Sequence, residues 1–437
     1  MFLPPPVKFC IDTLEAAGFA AYAVGGCVRD ALLGLKPHDY DLCTAATPAE
    51  ICRIFQDFPL VKAGEKHGTI GVVMNDAVYE ITTFRTEGDY TDSRHPGWVA
   101  FVPEIEQDLA RRDFTVNAMA YSPTRGFADP FGGREDLANL VLRAVGDPER
   151  RFTEDALRIL RGVRFAVRFD LQPEASTLEA MVSLSSRLEN IAAERIFDEL
   201  CKLLPLAKAA DLLTFAPILG QVIPELRATM GFAQHNDHHA YDVFTHTAHV
   251  TEAVPQDLPL RWAALLHDVG KVATFSLDEK GQGHFYGHAE ESAAVADAIL
   301  RRLKAPNALR EEAVELVKLH MLWILPEKKT VRRWLGRLGQ QTMERLLLLQ
   351  EADMGSKGTG KSAELAQFAE IRRLMAEIQE ENACLRLKDL AVNGRDLMAL
   401  GYEGPAIGRM LNFLLEQVLE ENIPNEKTAL LNAIKQS

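Results

Sequence analysis

The sequence predicts an α/β head followed by an all-helical remainder, and three observations carry that reading. An apolar run, Ala20–Val24, stops at Gly25-Gly26 and leads into an amphipathic run, Val28–Leu35, the pattern of strand, tight turn and helix. Two β-branched-rich runs, Thr69–Met74 and Ala77–Phe84, flank Asn75-Asp76 and read as a hairpin. From Thr153 onward nearly every stretch has helical period, and no repeat of about 20–50 residues recurs along the chain.

The chain has 437 residues, enough for roughly two to four domains with ample core. Hydrophobic residues make up 47% and charged residues 25%, the balance of an ordinary soluble globular protein. A net charge of -14 excludes a global basic footprint for nucleic acid, so any RNA contact requires a local basic surface. The six cysteines, Cys10, Cys27, Cys43, Cys52, Cys201 and Cys384, form no C-x-x-C pair and no disulfide-like spacing, which points to a reducing cytoplasm. Met1–Cys10 lacks the charged-then-apolar pattern of a leader. No apolar run approaches the ~18 residues of a membrane span. The expectation is a cytoplasmic protein with no membrane partner.

The first chemical constellation lies in Ala20–Thr44. Gly25 and Gly26 after a strand leave backbone N–H groups bare, a common cradle for phosphates. Arg29 can add a charge-assisted bond to the same anion. Asp39 and Asp41 are two apart, so on a strand both carboxylates face one way. Paired carboxylates beside a phosphate cradle suit Mg²⁺ held jointly by protein and nucleotide. D-x-D alone is common on solvated strands. The combination GGCVRD followed by DYDL is far more specific. It resembles the head of the class II tRNA nucleotidyltransferases, the CCA-adding enzymes, and their bacterial poly(A) polymerase relatives. The resemblance implies a polymerase-beta-type nucleotidyltransferase fold for the head, residues 1–145.

Taken in order, the rest of the head carries further signals. Glu80, on the second hairpin strand, is either a third carboxylate of the metal site or an exposed strand acid. Thr86–Phe101 is polar and punctuated by Gly and Pro, and reads as a loop or hairpin connection. The resemblance makes it the loop that relatives adding only CC lack. Leu109–Met119 has helical period, and RRDFTVNA within it matches a family motif; the resemblance puts Arg112 and Asn117 near the triphosphate and sugar. Asp129–Arg134 is a turn that closes the head.

A helical neck, residues 146–227, opens on Arg151–Arg164. Thr153 is a good N-cap for a helix starting at Glu154, whose acids favour its positive end. Asp155 and Arg158 are three apart and share a helical face, with Arg161 and Arg164 continuing that spacing. Alone, this is also how a capped helix with routine ion pairs reads. EDALRILRGVRF resembles the family's base-selecting helix, which implies that Asp155 and Arg158 read the base, supported by Arg161 and Arg164. The chemistry agrees. Cytosine and adenine both pair an amino donor with a ring acceptor, matching a carboxylate beside a guanidinium. Uracil and guanine reverse that pattern and leave polar groups unpaired, at about 1–3 kcal/mol each.

Residues 228–357 form a third unit. Eight of the twelve histidines lie within His235–His288. His246, the adjacent pair His267-Asp268 in LHDVGK, and the distant Asp353 resemble the HD phosphohydrolase superfamily. Imidazoles with carboxylates suit Ni²⁺, Mn²⁺, Fe or Zn²⁺. The resemblance implies these four residues as ligands, with His288 and His320 serving a second metal or a phosphate; a vestigial, metal-free fold is the other reading. Gly355–Ser362 fits G-x4-G-K-S, but a helical run precedes it where a phosphate loop needs a strand, so it reads as a linker. Residues 358–437 are a helical body and tail. Leu390–Leu397 and Ile423–Lys427 resemble the C-terminal stretch of the CCA-adding enzymes, which implies a grip on the tRNA acceptor and T arms.

The resemblance thus implies addition of CCA to the tRNA 3′ end from CTP and ATP, with no DNA partner. Asp39 and Asp41 would hold Mg²⁺, and Gly25, Gly26, Arg29 and Arg112 the triphosphate. Poly(A) polymerase and an A-only enzyme are the near alternatives. An HD phosphohydrolase with a non-catalytic, tRNA-binding head is the alternative of another class.

Overall fold

The structure is a computed structural model that describes residues 1–88, 99–235, 240–357, 362–381 and 384–436. Two compact units divide the chain: residues 1–207 with 214–224, and residues 208–213 with 225–437. The first therefore joins the head and the helical neck in one body.

A seven-stranded mixed sheet forms the head. Its strands are β1 (Ala21–Val24), β2 (Leu42–Thr44), β3 (Leu60–Val61), β4 (Thr69–Met74), β5 (Ala77–Thr83), β8 (Ala120–Ser122) and β9 (Gly126–Ala128), in the order β3-β4-β5-β2-β1-β8-β9. Only β2 and β5 run parallel, with Leu42 opposite Ile81. The β4–β5 hairpin turns at Asn75 and Asp76, both with positive φ (49° and 61°), the backbone of a two-residue type I′ turn. The short strands β6 (Arg85–Glu87) and β7 (Val99–Phe101) pair with each other, so the ends of the Thr86–Phe101 segment form a ladder. Residues 89–98, on which the CC-only argument bears, lie outside the described residues.

Helices α1 (Pro5–Ala16), α2 (Gly26–Leu32), α3 (Pro48–Ile54), α4 (Ile105–Ala110) and α5 (Gly133–Ala138) complete the head. α3 starts at a capping box between Thr47 and Glu50. Tyr22, Val24, Cys43, Phe84, Leu109 and Ala120 share one buried cluster on the face of the sheet that α4 covers. Leu109–Met119 is not the single helix its period suggested. α4 ends at Ala110, and the chain then makes one 3₁₀ turn at Thr115–Asn117, because Phe114 and Val116 must both reach the core.

The neck brings a second correction. α6 (Pro148–Glu154) is capped by Asp147 and ends at Glu154, so Thr153 closes a helix rather than opening one. Asp155 is extended (φ -143°, ψ 104°), and α7 runs from Leu157 to Phe169. α8 (Ala175–Ser183), α9 (Ala193–Leu203), α10 (Ala209–Thr214) and α11 (Ala216–Val222) follow. Gly162 is obligatory on α7: a Cβ there would lie 2.9 Å from the Phe114 ring and 3.0 Å from Met181.

Among the described residues the second unit is helical apart from one two-residue hairpin, Ser276–Leu277 with Gly283–His284. Its helices are α12 (Val243–Ala253), α13 (Leu258–Leu266), α14 (His288–Arg302), α15 (Asn307–Leu319), α16 (Lys328–Gly355), α17 (Ser362–Glu380), α18 (Gly394–Met398), α19 (Pro405–Leu419) and α20 (Lys427–Gln436). α16 breaks at Gly339 (φ 75°, ψ 164°). Gly355–Ser362 runs from the end of α16 to the start of α17, with residues 358–361 outside the described residues; a helix, not a strand, precedes it. No helix among the described residues is long and apolar enough to cross a membrane.

Candidate functional site

A cleft of about 480 Å³ in the first unit collects residues from both chemical motifs. Gly26, Arg29 and Asp41 reach it from the Gly-Gly segment, Arg112 and Asn117 from the turn after α4, and Asp155, Arg158, Arg161 and Arg164 from the neck. Its lining holds eight arginines against three aspartates, which makes a strongly cationic pocket in an acidic chain. This is the local basic surface that composition hides.

Gly25 turns with φ 77°, and a Cβ on it would fall 2.7 Å from a terminal nitrogen of Arg112. The turn is thus packed directly under that guanidinium, and only glycine fits there. Arg112 makes long contacts to Asp108 (3.4 Å) and to the Asn117 carbonyl (3.5 Å), and it lines the cleft. Asp39 and Asp41 stand just before β2 rather than on it, on an extended lead-in whose Asp41 carbonyl accepts from Val24 N–H at 3.0 Å. Asp39 is exposed, with His38 at 2.9 Å. Burial raises the Asp41 carboxyl above the usual range; Arg112 opposes this and Asp39 adds to it. A carboxylate pair whose charges destabilise each other fits a divalent cation. Glu80 is exposed on β5, one residue before the partner of Leu42, and so stands level with Asp41 just before β2 begins.

Arg29 is buried and already committed. It donates twice to Asp30 (2.9 and 2.6 Å) and once to the Asn117 side-chain oxygen, and its guanidinium stacks 4.2 Å from the Phe169 ring centre. Asn117 in turn donates to Asp113 at 3.2 Å, and Asp113 accepts from Arg161 at 2.8 Å. Burial works against the Asp113 charge, but Arg161 and Arg158 prevail and hold its pKa at about 2. A continuous chain of charge-assisted bonds thus ties the Gly-Gly helix α2 to α7.

Asp155 and Arg158 do face the same cleft, though by another route than one helical face. The Asp155 carboxylate caps α7 by accepting from Leu157 N–H (3.0 Å), and its other oxygen accepts from Arg195 (3.0 Å). Arg158 donates to Glu154 (2.8 Å) and to the carbonyls of Arg151 (3.2 Å) and Arg111 (3.0 Å). Arg164 pairs with Glu199 at 2.6 Å and stacks on Phe165. Sequence reasoning missed Asp113, although it sits inside the quoted RRDF motif. It also missed Arg195, for which the local sequence holds no signal, because its partner is 40 residues away.

The second constellation assembles wholly within the second unit. His246 on α12, His267-Asp268 after α13, His288 opening α14, His320 after α15 and Asp353 on α16 are all buried together. Ligand atoms of His246, His267 and Asp268 converge within 4.8 Å, as do those of Asp268, His288 and His320. Asp353 accepts from His246 at 2.9 Å. The Nδ1 atoms of His267, His288 and His320 each face the carbonyl three residues earlier, at 2.8, 2.8 and 2.6 Å. Those bonds commit Nδ1–H, and His288 and His320, both of which burial favours in the neutral form, present Nε2 lone pairs inward. His288 and His320 then oppose two Nε2 atoms at 3.2 Å, and His267 Nε2 lies 3.1 Å from Asp268 Oδ2. Two opposed imidazole acceptors beside a buried carboxylate are what a cation resolves. Burial lowers His320 to about 4, helped by the charge of His267. Burial opposes the Asp268 charge, but His267 and Lys271 hold its carboxyl well below the usual range. Lys271, also missed, lies in the quoted LHDVGK and donates to Asp268 at 2.8 Å and Gln234 at 2.9 Å.

Comparison with known proteins gives matches along most of the chain. Residues 21–143 match the poly A polymerase head domain, residues 170–230 the family described as "Probable RNA and SrmB-binding site of polymerase A", and residues 285–434 the tRNA nucleotidyltransferase domain 2. The CCA-adding enzyme of Levilactobacillus brevis is 35% identical over 430 residues, 97% of this chain and 96% of that one. The CCA-adding enzyme of Enterococcus faecalis is 50% identical over 194 residues, 44% of this chain and 47% of that one. Among solved structures, the Bacillus stearothermophilus CCA-adding enzyme in complex with CTP superposes with a TM-score of 0.71 at 29% identity, over 99% of both chains.

Proposed function

We infer from one premise, that this chain belongs to the CCA-adding enzyme family of tRNA nucleotidyltransferases, that it adds the 3′-terminal CCA to tRNA from CTP and ATP. The observation that carries the assignment to particular residues is the single cationic cleft. It joins the Gly25-Gly26 turn, Asp41 and Arg112 to Asp155 and Arg158.

In this reading the tRNA 3′-hydroxyl attacks the α-phosphorus of the bound nucleotide, and pyrophosphate leaves. Asp39 and Asp41 would hold Mg²⁺, an oxygen-only donor pair suited to a hard cation. Bound there, the ion supplies activation of the attacking oxygen and neutralisation of the leaving group. The Gly26 N–H at the start of α2 and the Arg112 guanidinium take the triphosphate. Arg29, in the cleft wall, works through Asn117 and Asp113 to keep α2 and α7 in register. Asp155 accepts from the amino group of cytosine or adenine, and Arg158 donates to the ring nitrogen. Purified protein given tRNA lacking its CCA, with CTP and ATP, should extend it by three nucleotides and stop, as read on a sequencing gel. Unlimited A addition or no addition would reject the reading.

A second reading applies to the second unit and rests on the converging imidazole and carboxylate acceptors. His246, His267, Asp268 and Asp353 would hold a transition metal (Ni²⁺, Mn²⁺, Fe or Zn²⁺), and Asp268, His288 and His320 a second. A metal there would supply a nucleophilic hydroxide and a phosphate ligand for phosphoester hydrolysis. Lys271 keeps the Asp268 carboxylate ionised. His267→Ala with Asp268→Ala should remove phosphoester hydrolysis and leave CCA addition intact.

A further inference from the structure

The second unit holds a cavity of about 110 Å³ that adjoins its histidine–carboxylate cluster. The lining comes from α16, α17 and the segment that follows α15, and it is of two kinds. His320 and Asp353 belong to the cluster, and Lys357 stands with them. Trp323, Ile324, Phe368 and Ile371 are apolar; the last three are buried, whereas Trp323 is 57% exposed. Gln350 donates to the carbonyls of His320 (3.0 Å) and Leu322 (2.6 Å), which fixes the path of the chain from His320 to Trp323.

Two lysines approach the cluster, and they are placed differently. Lys271 is buried and occupied by Asp268 at 2.8 Å and Gln234 at 2.9 Å. Lys357 lies 3.3 Å from Asp353 Oδ2 with its side chain 21% exposed. Its carbonyl accepts from Ala240 N–H at 3.1 Å, which ties down the backbone it projects from. Among the described residues that line the cavity, Lys357 is the one lysine or arginine. An ammonium has three donors, so one carboxylate oxygen leaves room for a second anion.

We propose that this cavity is a ligand subsite of the second centre, taking one flat ring carried by a phosphoester, with Lys357 on the phosphate. The proposal rests on the metal reading of the cluster given above. Size and lining carry the ring. An apolar cavity of about 150 Å³ accepts one benzene molecule, so about 110 Å³ beside an exposed indole suits a single ring and is too small to enclose a fused pair. Trp323 and Phe368 offer that ring aromatic neighbours, which prefer offset or edge-on contact. Charge carries the phosphate. An anion entering here meets the Asp353 carboxylate, and Lys357 offsets that repulsion. An ammonium has no lone pair for a metal, so Lys357 stays available when the histidines and carboxylates are engaged.

The test is calorimetric titration of the full chain, loaded with Ni²⁺, with two probes that resist hydrolysis: phenylphosphonate and methylphosphonate. Wild type should bind phenylphosphonate tighter by about tenfold or more, the gain from burying one ring. Trp323→Ala should cut that advantage by about fivefold and leave methylphosphonate binding unchanged. Lys357→Gln should weaken both probes by about tenfold, keep their ratio, and retain as much metal after dialysis as wild type. Lys357→Arg keeps the charge and should recover most of the lost affinity. Neither position lies in the core, since Trp323 is exposed and Lys357 partly so. Equal wild-type affinity for the two probes, or an unchanged ratio in Trp323→Ala, overturns the ring subsite. Wild-type affinities in Lys357→Gln, or no recovery in Lys357→Arg, overturn the phosphate role. A wild type that retains no metal overturns the metal reading itself, and this proposal with it.

Discussion

Asp268→Asn tests the second site most directly, because Asp268 belongs to both triads of converging ligand atoms. Two effects must be separated. In the metal-free protein Asp268 is buried and accepts from Lys271 at 2.8 Å, and Lys271 is itself only 5% exposed. Removing the carboxylate charge leaves that ammonium with Gln234 alone, and breaking such a buried pair costs about 3–5 kcal/mol. The variant should therefore melt lower before any metal is added. The informative quantity is the further shift on adding metal. A ligand at a hundred times its Kd stabilises the native state by about 2.7 kcal/mol. For a unit of this size that is roughly 5–10 °C in Tm. Differential scanning calorimetry with and without Ni²⁺, Mn²⁺ or Zn²⁺ reads it, and metal analysis after dialysis gives the stoichiometry. Wild type should show the shift and Asp268→Asn should lose it. His320→Ala removes only one triad and should retain part of it. Wild type that melts identically with every metal and retains none refutes the metal reading. So does Asp268→Asn that keeps the whole shift.

Four further outcomes are expected. Asp39→Ala or Asp41→Ala should abolish both C and A addition while tRNA still binds in a filter or gel-shift assay; near-normal turnover by either would end their assignment. Arg158→Ala and Asp155→Ala should narrow the preference for CTP and ATP by roughly 2–5 kcal/mol, one or two unpaired groups, and equal loss on all four triphosphates would move base selection elsewhere. Asp113 has its folded pKa depressed from 3.8 to about 2, so its pairing contributes fully above pH 3.8 and is lost as pH falls toward 2. That loss amounts to about 2 kcal/mol, and Asp113→Asn should remove it from the acid limb of a urea-midpoint-versus-pH profile; parallel profiles for the two proteins would contradict the pairing. Replacing residues 89–98 by a short Gly-Ser turn between β6 and β7 should spare CC addition and impair the final A, whereas equal loss of both would reduce the segment to a structural connection.

The sheet, the neck and the cluster of histidines were legible because each is written in local pattern. Asn75-Asp76 between two β-branched runs is a hairpin signal, though not the strongest type, and the observed positive φ at both residues is a conformation that Asn and Asp tolerate. Helix ends were less legible. Thr153 looked like a cap because Ser and Thr favour that position, yet Asp147, six residues earlier, captured the start, and Glu154 became an end. Propensity names good capping residues; which of two nearby candidates is used depends on where the core pulls the chain. Leu109–Met119 failed for the same reason, since Phe114 and Val116 could both be buried only by breaking the helix between them.

By itself the sequence determined the residue types of both sites and their order along the chain. Gly25-Gly26 with Asp39 and Asp41, the Asp155–Arg164 run and the His267-Asp268 pair each carry their chemistry within a dozen or so residues, where spacing alone constrains geometry. Tertiary structure decided how those groups are charged, aimed and held. Eight arginines in one cleft of a chain with net charge -14 are a fact about convergence, which composition averages away. Arg195 on Asp155, Asn117 on Arg29, and two histidine Nε2 atoms opposed at 3.2 Å join residues 32 to 88 positions apart. No period or motif encodes such contacts, because they arise only when buried surfaces bring distant helices together and leave their polar groups no partner but each other.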